Sequence, residues 1–493
     1  MSPHRSTGDV LAELSRRRAT DAPTHGGHVL SYVYDSGLAE LDELAGHAAA
    51  LVQPVNGLDP TVFGSVATME RDLITFSRNA FHDPEAVGSV TSGGTESCIL
   101  AVKAARDRAA LPPGRGAIVL PSTAHAAFDK AARLLGVRAI RVPVDPVTTQ
   151  VSASSMAAAI DDEVFLLIAS APNYPTGAID PIAALGALAL ERGLPLHVDA
   201  CLGGFALAWW PEPLPAWDFR VPGVTSISAD LHKYGYAPKG ASVILHADRD
   251  RHRAGFFATT DWPGYPIVNP TLLGSRSAAG LAAAWAITEY LGPDGYADLV
   301  GKVADSEARL RAAVSRIDGL RVIGAPAGPV FAVVADQSAA APIDPHRWAE
   351  AVAAQGFTLQ AQPRYTQSDG TVLPASTHFT VTPVTAAVID QLIEALRTGA
   401  EAARGLPPAA APEALAALAG AFADGSVTVD DVLGLPSEAV EQALSGAGID
   451  PHTDPSGAAA ALDLPSIIAA IETLPRPVTA RMLTEFLAAY ANP

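Results

Sequence analysis

Three short stretches hold residues whose types could act together. The first, Ser89-Val90-Thr91-Ser92-Gly93-Gly94-Thr95-Glu96-Ser97, runs straight into an alanine-rich segment. Adjacent glycines let the backbone approach an anion, and a helix start offers unpaired N–H groups and partial positive charge. Thr95 and Ser97 add hydroxyl donors. The same pattern also serves as a plain loop-to-helix connection. The second stretch, Leu196-His197-Val198-Asp199-Ala200, is an apolar run ending in a carboxylate. A charge at the end of a buried strand is costly unless paired, either with a protonated ring nitrogen or with the N–H groups of the next turn. The third, Ser226 to Gly240, contains Lys233 and Lys239; the only other lysines are Lys103, Lys130 and Lys302. A lysine in a crowded, partly desolvated loop can lose its proton and act as an amine nucleophile, although most lysines are ordinary surface charges.

A phosphate cradle, a carboxylate and a lysine form the set that pyridoxal phosphate chemistry needs. Lysine makes the Schiff base, the carboxylate keeps the pyridine nitrogen protonated, and the helix start binds the phosphate. The surrounding pattern places all three on loops after strands. Apolar runs at 116–120, 139–144, 164–170, 194–200, 225–229 and 241–246 alternate with helical stretches at 96–110, 124–135, 152–160 and 181–193. Continuous apolar strands separated by helices predict a mainly parallel sheet covered on both faces, with strand ends converging on one crevice. Helical spacing also marks 37–52, 61–81 and 277–292. A smaller α/β unit follows, with strands at 330–336 and 377–383 and a helix at 386–404.

The expected organisation is an N-terminal segment 1–60 with poor order at its start, a large domain 61–299, a small α/β domain 300–405 and an extension 406–493. That extension opens on LPPAAAP, is acidic and alanine-rich, contains no lysine, and shows four short helical patterns. A formal charge of −19 argues against nucleic acid or anionic lipid as bulk partners. Two cysteines cannot make a disulfide framework, which favours a reducing compartment. Neither a secretory leader pattern nor an apolar run of the ~18 residues that a membrane span needs is visible, so the reading is cytoplasmic.

The motifs TSGGTES, AHAAFDKAA, HVDACLGGF, SISADLHKYGYAPKG, TDW and GSR resemble those of the sphingosine-1-phosphate lyase family, in the group II decarboxylase branch of fold-type I pyridoxal phosphate enzymes. The resemblance covers about residues 30 to 400. It implies Lys233 as the Schiff-base lysine, Asp199 on the pyridine nitrogen, Gly94 and Thr95 on the cofactor phosphate, His125 stacked on the ring and His232 flanking the Schiff base. It further implies Gly274 and Ser275 at the cofactor phosphate of the other subunit of a homodimer. Tyr34, Asn56, Tyr174 and Lys239 are implied at the substrate end.

Two departures stand out. Where the family has Asn-Pro-Leu-His-Pro-Asp, this chain reads Asn56-Gly57-Leu58-Asp59-Pro60-Thr61; where the family has Pro-His-Gly, it reads Pro175-Thr176-Gly177. Asp59 facing a substrate phosphate would cost on the order of 4 kcal/mol per unit charge near 4 Å, at an effective dielectric of about 20. An amine- or guanidine-bearing substrate suits it better. The favoured expectation is a carbon–carbon lyase acting on a small 2-amino-3-hydroxy compound. An amino-acid decarboxylase is the alternative, and amine transfer is more distant. A cofactor-binding protein whose tail docks a protein partner is a further reading.

Overall fold

The computed structural model describes residues 5–112, 114–452 and 464–491. Its centre is a seven-stranded sheet made of β1 (Val87–Thr91), β2 (Ala117–Pro121), β3 (Arg138–Val142), β4 (Val164–Ser170), β5 (Leu196–Asp199), β6 (Val224–Ala229) and β7 (Ser242–His246). The spatial order is β1-β7-β6-β5-β4-β2-β3. Neighbours from β3 to β6 pair in parallel, while β7 runs antiparallel to both β6 and β1.

The apolar runs are continuous because alternate side chains enter different cores. Ile118, Leu120, Leu166 and Ile168 meet Phe128 and Val102 on one face. Val119, Leu167, Ala169 and Val198 join the main core with Leu185 and Phe205 on the other. The expected mainly parallel, doubly covered sheet is therefore present. Edge strand β1 was not anticipated as a strand, since it reads as the lead-in to the glycine pair.

The expected helix at 277–292 is longer in the structure, Ala279–Val314, and bends where Gly292 leaves helical geometry before Pro293. The expected domain boundary near 300 falls inside it. A four-stranded antiparallel sheet follows, ordered Leu320–Val322, Val330–Ala335, Ser376–Thr380 and Gln360–Gln362. Thr358 N donates to His28 O, Leu30 N to Thr358 O and Thr380 N to Leu30 O, so the N-terminal segment is tied to this smaller unit. Ahead of it, Thr7–Arg18 forms an exposed helix with a Ser6/Asp9 capping box; the very start, where poor order was expected, lies outside the described residues.

The extension folds on its own small core. Helices Glu413–Ala423, Val429–Leu433, Ser437–Gly446, Leu464–Thr473 and Arg476–Ala491 gather Leu415, Val440, Leu444, Leu474, Val478 and Met482. Among the described residues, no helix is long and apolar enough to cross a membrane.

Candidate active site

The C-terminal ends of β1, β5 and β6 bring the three sequence motifs to one place. A cavity of about 390 Å³ is lined by Gly93, Gly94, Thr95, His125, Asp199, His232 and Lys233. A second, of about 690 Å³, continues outward and shares His125, Tyr174, His232 and Lys233 with the first. Its other walls include Tyr34 from the N-terminal segment, Lys239 from the large unit and Gln360, Gln362, Tyr365 and Ser376 from the smaller one.

The helix Gly94–Ala109 begins at the glycine pair. A Cβ on Gly94 would lie 2.8 Å from both carboxylate oxygens of Asp230 and 2.9 Å from Cys201 Sγ. Only a glycine lets the helix start come this near the loops after β5 and β6. Glu96 fixes the turn: it accepts from Ser92 N at 2.7 Å, Ser92 Oγ at 2.6 Å and Leu272 N at 2.7 Å.

Asp199 is buried and accepts from Cys201 N at 3.0 Å and Ser228 Oγ at 3.4 Å. Ser228 Oγ lies 3.1 Å from Nε2 of fully buried His197, whose Nδ1 is 2.9 Å from Ser226 Oγ. The reading of this carboxylate as a cap on the next turn thus holds, and the residue also lines the cavity.

Lys233 Nζ lies 2.9 Å from the carboxylate of Asp230, a buried residue that the motif reading passed over. Burial alone would lower the lysine's pKa, but the Asp230 carboxylate overrides it and holds the ammonium above its ordinary range. Burial would likewise raise the Asp230 carboxyl, yet Lys233, His232 and the Ser242 hydroxyl hold it low. The lysine is therefore protonated when unreacted, contrary to the expectation of a lowered pKa. Burial, reinforced by Lys239 and Lys233, pushes His232 down; its Nε2 is 3.4 Å from Asp230.

Lys239 stands at the exposed rim. Its Nζ donates to His232 O at 3.0 Å and lies 4.5 Å from the centre of the Tyr34 ring. Desolvation by surrounding protein, then repulsion from Lys233, lowers it to about 8. Burial raises Tyr34 to about 12, so this phenol stays a donor. Tyr174 stacks on His378, with centroids 4.4 Å apart and planes at 14°. Thr176, the second departure from the family pattern, is buried against Thr149 Oγ1 at 2.8 Å and Asn173 Oδ1 at 2.9 Å.

Four expected residues do not line these cavities. Asn56 Nδ2 donates to Ser275 Oγ at 3.3 Å, with Gly274 exposed beside it. Arg276 turns inward from there, onto Glu70 at 2.9 Å and Val90 O at 2.9 Å. Asp59 is exposed and accepts from Thr61 N at 2.9 Å and Thr61 Oγ1 at 2.6 Å. These residues form one surface loop pair that does not reach Lys233 of the same chain. Asp230 had a local signal, an acid three residues before the key lysine. Gln360, Gln362 and Tyr365 had none, because only the return of the smaller unit brings them here.

A glycine cradle that a Cβ would fill, a carboxylate at a strand end and a lysine beside it fit pyridoxal phosphate. Gly94 and Thr95 would hold the phosphate, Asp199 the ring nitrogen, His125 the ring face and Lys233 the aldehyde carbon. This fold and donor set define a fold-type I pyridoxal phosphate protein. The pyridoxal-dependent decarboxylase conserved domain matches residues 64–259. The sphingosine-1-phosphate lyase of Dictyostelium discoideum is 40% identical over 332 residues, covering 66% of this chain and 63% of the relative. That of Arabidopsis thaliana is 34% identical over 413 residues, covering 81% of this chain and 73% of the relative. The structure of Burkholderia pseudomallei sphingosine-1-phosphate lyase superposes with a TM-score of 0.75 at 33% identity, covering 86% of this chain and 95% of that one. Lactobacillus brevis glutamate decarboxylase, at 19% identity and a TM-score of 0.71, shares the fold. The chain belongs to the sphingosine-1-phosphate lyase family, and it spans 63% and 56% of the length of the Dictyostelium discoideum and Drosophila melanogaster members.

Proposed function

We propose that the chain is a pyridoxal phosphate-dependent carbon–carbon lyase that cleaves a 2-amino-3-hydroxy compound to an aldehyde and an amine. The observation that carries this is the continuity of the Lys233–Asp199–Gly94 cavity with an outer chamber lined by Tyr34, Tyr174 and Lys239. The cofactor, when bound, supplies an electron sink for the pair left on Cα as the Cα–Cβ bond breaks and the β-hydroxyl gives up its proton. Asp199 holds the ring-nitrogen proton that makes this sink effective. Asp230 takes the ammonium of Lys233 once substrate amine has displaced it. Tyr34 and Lys239 present a hydroxyl and a cation at the substrate end. Among the described residues lining either chamber there is no arginine to orient a substrate carboxylate, which disfavours the decarboxylase reading.

The homodimer reading draws on an exposed apolar patch beside Gly274 and Ser275. Phe257, Trp262, Tyr265, Val268, Leu272 and Leu273 are each at least 43% exposed, which a second copy would cover. In such a dimer the Asn56–Asp59 and Gly274–Ser275 loops act on the partner's cavity, and Asp59 disfavours a phosphorylated sphingoid base there. A reducing, cytoplasmic setting is supported by Cys98 and Cys201 being free and buried.

Incubation with a panel of 2-amino-3-hydroxy compounds, with and without a terminal phosphate, should release aldehyde, and incubation with a panel of amino acids should release no carbon dioxide. Carbon dioxide release, or turnover retained by Lys233→Ala, would overturn the assignment. Asp59→His should improve activity on the phosphorylated members, and no change would show that Asp59 does not face substrate.

A further inference from the structure

The outer chamber is closed on one side by a hairpin, Tyr365–Thr366 paired with Val372–Leu373, and Tyr365 and Leu373 line the chamber directly. The hairpin is held at two places. Inside, the buried Gln367 side chain exchanges hydrogen bonds with Val144 N and Val144 O, both at 2.8 Å, and accepts from Ser122 Oγ. Ser122 belongs to the same loop as His125. Outside, the contacts come from the C-terminal helical unit. Glu472 accepts from Arg364 N at 2.8 Å and pairs with Arg364 Nε at 3.7 Å. Arg476 places its guanidinium 4.1 Å from the centre of the Tyr365 ring and donates to Thr366 O. Three successive residues, 364 to 366, of which Tyr365 lines the chamber, are thus gripped by two residues more than 100 positions further along the chain.

We propose that Glu472 and Arg476 are positioning residues for substrate binding, and that the helical extension works as a specificity element in cis by fixing the outer wall of the chamber. The proposal rests on the reading of that chamber as the substrate site. The mechanism is one of preorganisation. A two-stranded hairpin of two residues per strand is not stable alone. Without the outer grip, Tyr365 must be ordered by the substrate itself, so affinity falls while the bond-breaking step, set by Lys233 and Asp199, does not change. The Arg476 cation occupies one face of the Tyr365 ring, and Tyr365 and Pro363 both line the chamber.

The test uses the full chain with cofactor bound. Glu472→Ala and Arg476→Ala should each raise KM by about three- to tenfold, the range of one lost cation–π contact or charged hydrogen bond, with kcat within about twofold of wild type. Amide hydrogen exchange across 364–374 should speed up in the same variants, and the visible absorption of the lysine-bound cofactor should stay as in wild type. Arg481→Ala is the control. It loses the Glu485 pair at 2.8 Å and contacts to Leu435 and Ser437 inside the extension, and touches nothing in the hairpin. An unchanged KM in both test variants would overturn the proposal. So would faster exchange without a KM change, or an equal KM rise in Arg481→Ala, since either makes the contacts merely structural. If wild-type protein releases no aldehyde from any substrate, the reading of the reaction fails, while the exchange result still reports on the grip.

Discussion

Asp230→Asn is nearly isosteric and removes one buried negative charge 2.9 Å from Lys233 Nζ. At an effective dielectric of ~20, that pair gains about 6 kcal/mol of Coulomb energy. This corresponds to roughly 4 pH units of lysine pKa at ~1.4 kcal/mol per unit. With the carboxylate gone, burial becomes the largest influence on the ammonium, and the lysine should titrate well below its wild-type value. Reductive methylation of cofactor-free protein by formaldehyde and cyanoborohydride, read by peptide mass mapping, measures the neutral fraction of that amine. At pH 8 a shift of that size makes the Lys233 peptide label up to about 10^4-fold faster in the variant than in wild type. Thermal unfolding provides a second readout with a defined sign. The Asp230 carboxyl is depressed, so its contribution is present above its ordinary value of 3.8 and is lost as pH falls through the folded-state pKa. The Lys233 ammonium is raised, so its contribution is complete below 10.5 and is lost as pH rises through its folded-state pKa. The stability gap between wild type and variant should therefore be widest between those limits and narrow in acid. An identical labelling profile in the two proteins would refute the claim that Asp230 controls the proton on Lys233.

Two further outcomes follow from the same geometry. Lys239, lowered to about 8 by desolvation and by Lys233, loses its charge as pH rises through that value. KM for a substrate with an anionic end should then climb above pH 8, and Lys239→Gln should give a higher, flat KM profile; a pH-independent wild-type KM would remove Lys239 from the substrate end. Gly94→Ala places a methyl group 2.8 Å from the Asp230 oxygens. Cofactor affinity, measured by absorbance titration, should fall by about tenfold or more, the cost of overpacking a tight site, and an unchanged affinity would mean that the helix start does not form the cradle.

The legible part of this protein is the part whose signals are local. Strands such as Val164–Ser170 declare themselves because both faces are buried and every position before Ser170 is apolar. Asp199 stands out because it ends such a strand, and Lys233 because it is one of five lysines and follows another strand. Val87–Thr91 did not read as a strand because Gly88 and Ser89 interrupt it. Yet Gly88 is required there, since a Cβ would fall 2.2 Å from Ile244 O on the neighbouring strand. The direction of β7 was hidden as well, because parallel and antiparallel strands buried on both faces carry the same pattern.

Lys233 shows where local reasoning gives the wrong sign. Crowding correctly implies desolvation, and desolvation correctly lowers a lysine. The outcome depends instead on Asp230, whose own burial is tolerated only because Lys233, His232 and Ser242 surround it. Each member of that cluster is costly alone and stable together, so no single residue's composition or spacing announces the arrangement. The same holds at the opposite end of the chamber for Tyr365. Its hairpin is anchored through Gln367 to Val144 and its ring meets Arg476, partners that sequence order separates but folding brings together. A site assembled from one sheet's strand ends can be read from motifs, whereas a chamber closed by a second unit and a third can be read only once the chain has returned to it.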